Sequence, residues 1–251
     1  MSALGAAESD LQLDDVSACD NSSLDIVSQN DLSSKIVSQN DLSSKISSQN
    51  DLNLNIAGDN DAGLIDSSSP NSNLKDGISS SDALIDQINN ANDGDTIIIQ
   101  PGNYTVYGII IDRNLTICGN GSPDEIILDG EYEDAIFTIM SKTAVVNFNN
   151  LTFIRAAGDF GGAISINPGN VYVDNCVFIN NSAGTNGAAI CNGGVPDNKN
   201  PFISYLFVNN SVFIANEVGH DGGAISSYYG DSEVYNSYFT QNYAARDGGA
   251  I

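Results

Sequence analysis

The pattern that decides the fold is Asn175-Cys-Val-Phe178 followed by Gly187-Ala-Ala-Ile190. Three further copies of it begin at Asn150, Asn210 and Asn236. In every copy the phenylalanine precedes the isoleucine by 11 or 12 residues. The glycines of successive copies are 26, 35 and 26 residues apart, and the longer step contains a Gly-, Pro- and Asn-rich run at 192–206. A fixed period of this size indicates a solenoid, and the long step indicates a loop inserted into one coil.

The local pattern within each period identifies the kind of solenoid. Short apolar runs, such as Val171-Tyr-Val173 and Cys176-Val-Phe178, alternate with clusters of Asn, Gly and Asp. These runs predict strands joined by turns, and they leave no room for a helix of ten or more residues. The sequence therefore predicts an all-β fold, a parallel β-helix in which each period is one coil. Successive coils should stack about 4.8 Å apart.

Stacking of the coils brings equivalent residues of the repeat into columns. An interior aromatic column is predicted from Phe153, Phe178, Phe213 and Phe239. A second interior column is predicted from Ile164, Ile190, Ile225 and Ile251. A third column, placed at a turn, is predicted from Asn150, Asn175, Asn210 and Asn236. Stacked asparagines can hydrogen-bond along the solenoid and tolerate left-handed backbone angles, while the glycine pair permits a tight turn.

The composition of the chain narrows the range of partners. Net charge at pH 7 is −24, and the 32 acidic residues comprise 26 Asp and 6 Glu. Much of this bias is architectural, because Asp and Asn are turn formers. A strongly acidic surface disfavours nucleic acid and anionic membranes as partners. The sequence contains no apolar run of 18 residues, so no membrane-spanning helix is predicted.

Residues 1–76 differ in composition from the rest of the chain. Residues 1–7 resemble the small-residue end of a signal peptide with its front missing, although a plain disordered terminus explains them equally well. Residues 26–55 hold three copies of a decapeptide whose first copy is Ile26-Val-Ser-Gln-Asn-Asp-Leu-Ser-Ser-Lys35. The segment at 8–76 has no aromatic residue and few large apolar ones, so it is predicted to be a disordered spacer. A weak β stack of the decapeptides is the alternative.

The second predicted domain, residues 77–251, opens with a short amphipathic helix. Ser79 or Ser81 is the expected N-cap, and Asn92-Asp-Gly94 ends the helix. One face is apolar and consists of Leu84, Ile85, Ile88 and Ala91. We expect this helix to cover the open end of the solenoid, which would otherwise recruit other strands. The segment 94–104 is expected to form a strand followed by a Pro-Gly turn, and less regular coils follow, with strands expected near 108–112, 114–118, 126–128 and 135–140.

Three features of this part resemble a known family. They are the segment Gly94-Asp-Thr-Ile followed by Pro-Gly-Asn-Tyr104, the run Leu-Thr-Ile-x-Gly-x-Gly at 115–121, and coils that combine Phe-x-x-Asn with Gly-Gly-Ala-Ile. Together they resemble the adhesin-like surface proteins of methanogenic archaea, and the coil motif is similar to that of chlamydial polymorphic outer-membrane proteins. The first coil departs from the motif, with Ala156 in place of the asparagine.

This resemblance covers residues 78–251 and implies both fold and function. It implies a right-handed parallel β-helix, secretion to the cell surface, and a non-catalytic role in attachment to cells, glycans or proteins. One alternative is a polysaccharide lyase or glycoside hydrolase, because the pectin lyase-like β-helix also carries such enzymes. A structural component of the cell envelope is a further alternative. Binding is expected on the long flat faces, with the loop at 192–206 as an additional element.

The residues give little support to the enzyme alternative. Lyases and hydrolases of this fold need clustered carboxylates together with a base or an acid–base pair. The available carboxylates, Asp112, Asp129, Asp134 and Asp174, fall at unrelated coil positions. His220, the one histidine, precedes a Gly pair and is expected in a surface turn. No catalytic residue or cofactor is therefore predicted.

A calcium site is the one metal prediction that the repeat supports. The position before each Gly pair holds Phe160, Asn186, Asp221 and Asp247. In the predicted register, Asp221 and Asp247 lie one strand spacing apart, where two carboxylates repel each other unless they share a cation. Asn186 and turn carbonyls could complete an oxygen shell suited to Ca²⁺, whereas simple solvation of both carboxylates is the plainer outcome.

The cysteines and the last coil give two further expectations. The four cysteines have no metal-type spacing, and Cys176 is expected to be a small buried side chain, with a Cys176–Cys191 disulfide left open. The sequence stops at Ile251 without a capping element, which suggests a longer protein. An uncapped end exposes core and unpaired backbone, so end-to-end self-association is expected.

Overall fold

The computed structural model describes residues 78–193 and 203–251, and within these ranges the chain forms four parallel sheets preceded by one helix. The predicted tail at 1–76 and most of the loop at 192–206 lie outside the described residues. Every strand pair is parallel, and strands that are adjacent in a sheet belong to successive coils. This arrangement is a parallel β-helix and confirms the predicted fold class.

Each sheet takes one strand from each of several coils. Sheet 1 contains β1 (Asp95–Ile99), β4 (Leu115–Gly119), β7 (Val145–Asn149), β11 (Asn170–Asp174), β15 (Ser204–Asn209) and β19 (Gly230–Val234). Sheet 2 contains β2 (Gly102–Thr105), β5 (Ile126–Asp129), β8 (Thr152–Ile154), β12 (Val177–Ile179), β16 (Val212–Ile214) and β20 (Tyr238–Thr240). The chain passes from sheet 1 to sheet 2 in every coil.

The two remaining sheets complete the coil. Sheet 3 contains β9 (Ala157–Phe160), β13 (Ser182–Asn186), β17 (Glu217–Val218) and β21 (Tyr243–Ala244). Sheet 4 contains β3 (Ile109–Ile111), β6 (Phe137–Ile139), β10 (Ile164–Ile166), β14 (Ile190–Gly193) and β18 (Ile225–Tyr228). The first two coils lack a strand of sheet 3 among the described residues. A single 3-10 turn, Pro123–Glu125, precedes β5.

The interior of the solenoid holds the predicted phenylalanine column and three of the four isoleucines predicted for the second column. The interior placement of Ile251 was wrong, since this residue is 58% exposed and no coil of the described residues packs on it. Phe153, Phe178, Phe213 and Phe239 stack with ring centroids 4.7 Å apart and ring planes within 3° of parallel. The isoleucines Ile164, Ile190 and Ile225 are paired across sheet 4 and fully buried. Burial of the phenylalanines stabilises the fold, and stacking adds a preferred geometry between successive rings. The stacked rings therefore fix the register of the coils.

Helix α1 (Ser81–Asn90) covers the first coil. Leu84 and Ile88 are buried in the same core as the coils, and Ile85 and Ala91 pack against that core. The N-cap is Ser80, whose Oγ accepts a hydrogen bond from the Ala83 backbone N–H at 3.3 Å. The prediction of Ser79 or Ser81 as the cap was wrong by one residue, because three adjacent serines offer the same capping chemistry.

The turns of the repeat depend on residues that tolerate positive φ. Asn150, Asn175, Asn210 and Asn236 have φ between 46° and 57°. The first glycine of each pair is also left-handed, with φ of 62° at Gly187. A Cβ built on Gly187 would lie 2.2 Å from the Ile190 carbonyl oxygen, so no other residue fits this turn without a shift of the backbone.

Candidate functional site

The outer face of sheet 1 carries a group of outward-pointing aromatic side chains. In β11 and β15, buried and partly exposed residues alternate, so the partly exposed set points outward. The outward set includes Tyr172 in β11 together with Tyr205 and Phe207 in β15. Tyr235, directly after β19, is 51% exposed. We call these four residues the aromatic patch.

The rings of the aromatic patch touch one another across three coils. The Tyr172 ring lies 5.8 Å from the Tyr205 ring and 6.1 Å from the Phe207 ring, between centroids. Phe207 in turn lies 5.6 Å from Tyr235. All three pairs are tilted rather than stacked. Because parallel strands are flat and closely spaced, these rings form one continuous apolar surface on the outside of the solenoid.

A carboxylate borders the patch. Glu233 pairs with Phe207 in the register of sheet 1, and its Oε2 accepts a hydrogen bond from the Tyr235 hydroxyl at 2.9 Å. Burial, followed by a hydrogen bond to Glu233, raises the pKa of Tyr205 to about 12. The hydrogen bond to Glu233 also raises the pKa of Tyr235. Both tyrosines therefore remain neutral donors at any physiological pH and hold the carboxylate beside the rings.

Amides and a second carboxylate continue this polar border. Asp174 Oδ1 accepts hydrogen bonds from the side-chain amides of Asn209 and Asn210, both at 3.0 Å. On the other side of Tyr172, Asn147 donates to the Thr116 hydroxyl at 3.2 Å. The result is an apolar centre with hydrogen-bonding groups at its edge, which is the composition of a binding surface for a polar ligand with apolar faces.

The asparagine column at the turn is less regular than the sequence predicts. Asn175 donates its amide to Asn150 Oδ1 at 2.8 Å, as expected for a ladder. In the later coils the amides donate sideways instead, from Asn210 to Asp174 and from Asn236 to Asn209. The reason is that outward residues at the end of each strand of sheet 1 offer nearer acceptors.

A different asparagine column, at the Phe-x-x-Asn positions, forms the buried network. Asn181 and Asn216 are almost fully buried, and each side-chain amide also donates to a phenylalanine carbonyl of the preceding coil, from Asn181 to Phe153 and from Asn216 to Phe178. Asn242 continues the column and accepts from the backbone and side chain of Asn216 at 3.1 and 2.9 Å. Where the first copy has Ala156, its N–H donates to Asn181 Oδ1. These asparagines stabilise the fold and are not part of a surface site.

The structure places the predicted calcium residues in neighbouring coils. Asn186 forms a bridge with Asp221, and Asp247 donates its N–H to Asp221 Oδ1 at 3.3 Å. Arg246 adds a cation, with Nε 3.7 Å from the same oxygen. Among the described residues, no group of three or more His, Cys, Asp or Glu side chains is placed to hold a metal ion. Calcium binding therefore stays a prediction, in which the ion must compete with Arg246.

The four carboxylates considered for catalysis lie in separate places and are engaged in local contacts. Asp112 pairs with Arg113 at 2.9 Å, and Asp129 is held by the Arg155 guanidinium. Asp134 accepts from the Ala135 N–H. Asp174 belongs to the edge of the aromatic patch. The structure does not bring these carboxylates together into an acid–base pair.

His220 and the two cysteines of the repeat also have structural surroundings. His220 is exposed in a turn, and its carbonyl accepts from the Arg246 N–H at 2.9 Å. Cys176 and Cys191 are buried, and the disulfide left open between them is not formed. Cys176 occupies a position where Ser211 and Ser237 form a ladder, with the Cys176 N–H donating to Ser211 Oγ at 3.1 Å.

No helix in the described ranges is long and apolar enough to cross a membrane.

Comparison with known proteins supports the repeat assignment. The repeat of the Chlamydia polymorphic membrane protein family matches residues 175–193 and 236–251. Those are two of the four copies of the pattern, in coils that the structure places in the same solenoid. The chain is therefore similar to a β-helix repeat found in membrane proteins of Chlamydia. No solved structure matches the chain.

Curated relatives match somewhat more than a third of this chain. It is 34% identical over 95 residues to SHC SH2 domain-binding protein 1 homolog B of Xenopus laevis, which is 38% of this chain and 13% of that protein. The corresponding mouse protein is 32% identical over 92 residues, 36% of this chain and 14% of its own length. The match thus spans about an eighth of each relative. These relatives differ in description from the Chlamydia membrane proteins, so the function proposed below rests on the surface residues of this chain.

Proposed function

We propose that this protein is a non-catalytic, adhesin-like surface protein that holds an extended glycan on the aromatic patch of sheet 1. The observation that supports the proposal is the outward-facing group of Tyr172, Tyr205, Phe207 and Tyr235, bordered by Glu233. Sugar rings have apolar faces that pack against aromatic rings, and hydroxyl groups that donate to carboxylates and amides. The surface offers both kinds of partner side by side.

The charge of the chain favours a neutral glycan over an acidic one. Net charge is −24, and the residues bordering the patch on β19 include Asp231 and Glu233. An anionic polymer, such as one built from uronic acids, would be repelled at long range and would place like charges beside these carboxylates. A neutral chain of hexoses or N-acetylhexosamines avoids that cost. Placement at the cell surface follows from the likeness to the Chlamydia membrane-protein repeat and is part of the proposal.

A glycan array tests this function. The full chain should bind a subset of neutral glycans, and Tyr172→Ala should weaken that binding at least tenfold, since a central aromatic contact contributes about 2 kcal/mol or more. Tyr107→Ala is the matched control, because Tyr107 is 44% exposed and lies in the first coil, away from the patch. Binding to no glycan, or equal loss in both variants, would contradict the proposal.

Two alternatives predict different results in the same set of assays. An enzyme of the lyase or hydrolase type would release unsaturated uronides or reducing ends from a polysaccharide panel. An envelope component would self-assemble into ordered arrays without binding a glycan. We favour binding over either alternative, because the aromatic patch combines apolar rings with hydrogen-bonding groups at its border, which is a composition suited to a ligand.

A further inference from the structure

The outer face of sheet 2 is apolar in its middle coils. Phe153, Phe178 and Phe213 point into the core, so the residues on either side of each phenylalanine point outward. Five of these outward residues, together with Ile127 beside the buried Leu128, form an apolar cluster separate from the core, which we call the outer strip. It consists of Ile127, Ile154, Val177, Ile179, Val212 and Ile214. Two β-branched residues beside the buried phenylalanine are an unusual choice for a face in water.

The outer strip is buried although it points away from the core. Its six residues are at most 8% exposed, and Ile179 is fully buried. The same face opens at both ends of the solenoid, where Asn103 is exposed and Tyr238 is 37% exposed. An outward isoleucine of sheet 4, Ile110, shows what an uncovered position looks like, since it is 55% exposed. Something therefore covers sheet 2 between its second and fifth strands.

Two described elements lie against the strip, and each contacts one part of it. Ala215, the partly buried apolar residue packed against the strip, follows β16 directly in the chain. The 3-10 turn lies near β5 and β8, where the Pro123 carbonyl accepts from the Thr152 hydroxyl at 2.6 Å. That turn does not account for the burial of Val212 or Ile214 two coils further along. The candidates for the remaining cover are the two segments outside the described residues, 1–77 and 194–202.

The inserted loop at 194–202 is in the wrong place to provide it. This loop leaves β14 in sheet 4 and returns to β15 in sheet 1. To reach sheet 2 it would have to cross the outer face of sheet 1 and come back, and nine residues extend only about 15 Å in each direction. The open aromatic patch lies on that route. The N-terminal segment is the remaining part of the chain.

We propose that the decapeptide-repeat segment, residues 26–55, docks on the outer strip. Each copy supplies isoleucine, valine or leucine, and the first two copies each contain one Asp and one Lys. The segment is therefore close to neutral, with three Asp and two Lys, whereas the rest of 8–76 carries ten acidic residues and one lysine. An apolar and nearly neutral segment suits an apolar strip better than its acidic flanks do.

The geometry of the chain permits this docking. The segment is joined to Ile78 by residues 56–77, which span up to about 73 Å when extended. Ile78 itself is fixed beside β1 through its bridge to Ile99. The strip covers three strand spacings, about 14 Å along the solenoid. The linker is thus several times longer than the distance it must cover, and the predicted spacer becomes a cover for one face of the solenoid.

Thiol labelling in the full chain tests the proposal. Ile214→Cys places a reporter in the strip, and Ile110→Cys places a matched reporter on an open outer face. Peptide mass spectrometry separates both from the four native cysteines. The reporter at 214 should react with a maleimide at least tenfold more slowly than the one at 110. Replacing Ile36, Leu42 and Ile46 with Ser should raise the rate at 214 at least tenfold and leave the rate at 110 unchanged.

A matched tail variant and two further conditions make the result decisive. Replacing Leu11, Leu13 and Leu64 with Ser removes as much apolar surface outside 26–55 and should change neither rate. Slow labelling at 214 that persists in the Ile36, Leu42 and Ile46 variant would overturn the proposal. A rate at 214 that rises on dilution would also overturn it and assign the cover to a second copy of the chain. Val177→Cys serves as the reporter if Ile214→Cys does not fold.

Discussion

Asn181 and Asn216 are joined by two hydrogen bonds to one atom, since the backbone N–H and side-chain amide of Asn181 both donate to Asn216 Oδ1, at 3.1 and 3.0 Å. The amide of Asn216 also donates to the Phe178 carbonyl at 3.1 Å. Both side chains are buried, so water cannot replace any of these partners. One side chain therefore satisfies polar groups of two neighbouring coils.

Replacing Asn216 should be among the most destabilising changes in the chain. Asn216→Ala leaves the Asn181 backbone N–H and one N–H of its side-chain amide without an acceptor and removes a donor to the Phe178 carbonyl, which we expect to lower the free energy of unfolding by about 3 kcal/mol. Asn103→Ala is the control, because Asn103 is exposed in β2. Urea denaturation followed by circular dichroism measures both. A loss below about 1 kcal/mol for Asn216→Ala would show that the network is dispensable.

The glycine pair gives a second prediction about stability. Gly187 and Gly94 both have positive φ, 62° and 85°, but only at Gly187 would a Cβ meet backbone within 4 Å. Gly94→Ala should therefore cost about 1 kcal/mol, the strain of an alanine in left-handed conformation. Gly187→Ala adds a clash with the Ile190 carbonyl and should cost about 3 kcal/mol or more. Equal losses in thermal melting would contradict the role of close packing at the turn.

The buried thiol of Cys191 links stability to pH. Burial raises its pKa to about 11, from an ordinary value of 9.0. Between these values the unfolded chain loses the proton while the folded chain keeps it, so stability is intact below about pH 9 and falls toward pH 11. The shift corresponds to about 3 kcal/mol. Cys191→Ala should lose less stability than the natural chain between pH 8.5 and 10.5, and identical pH profiles would contradict this.

Calcium and Arg246 should compete for Asp221. If the ion binds, it must displace a guanidinium whose Nε lies 3.7 Å from the carboxylate. Millimolar calcium should then raise the melting temperature more in Arg246→Ala than in the natural chain, and not at all in Asp221→Asn. Identical melting of all three proteins with and without calcium would mean that solvation and Arg246 satisfy these carboxylates.

The repeat predicted the solenoid because every copy places the same apolar residue at the same position. It did not identify the buried asparagine network, since Ala156 interrupts that column and the chain is rich in asparagine. The Phe-x-x-Asn spacing at Phe178 and Phe213 was the available signal. Asn150 and its equivalents repeat more regularly, yet their turn leaves the side chains within reach of several acceptors.

The aromatic patch could not be found from the repeat. Tyr172, Phe207 and Glu233 occupy one column of sheet 1, but they are different residue types and the inserted loop hides their register. Only the strand pairing shows that they are neighbours. The outer strip was visible as Val-Phe-Ile in two coils, at Val177 and Val212, but burial of its outward side could not be foreseen from a pattern. End-to-end association of the chain stays a prediction.

The most direct test of the account is a binding titration with the neutral glycan that gives the strongest signal on the array. Calorimetry should show one site per chain, a Kd at least tenfold higher for Tyr172→Ala, and no measurable binding for the double variant Tyr172→Ala and Tyr205→Ala. Tyr107→Ala should bind like the natural chain, with circular dichroism showing all variants folded. Unchanged affinity in the double variant would contradict the claim that the outer face of sheet 1 is the binding surface.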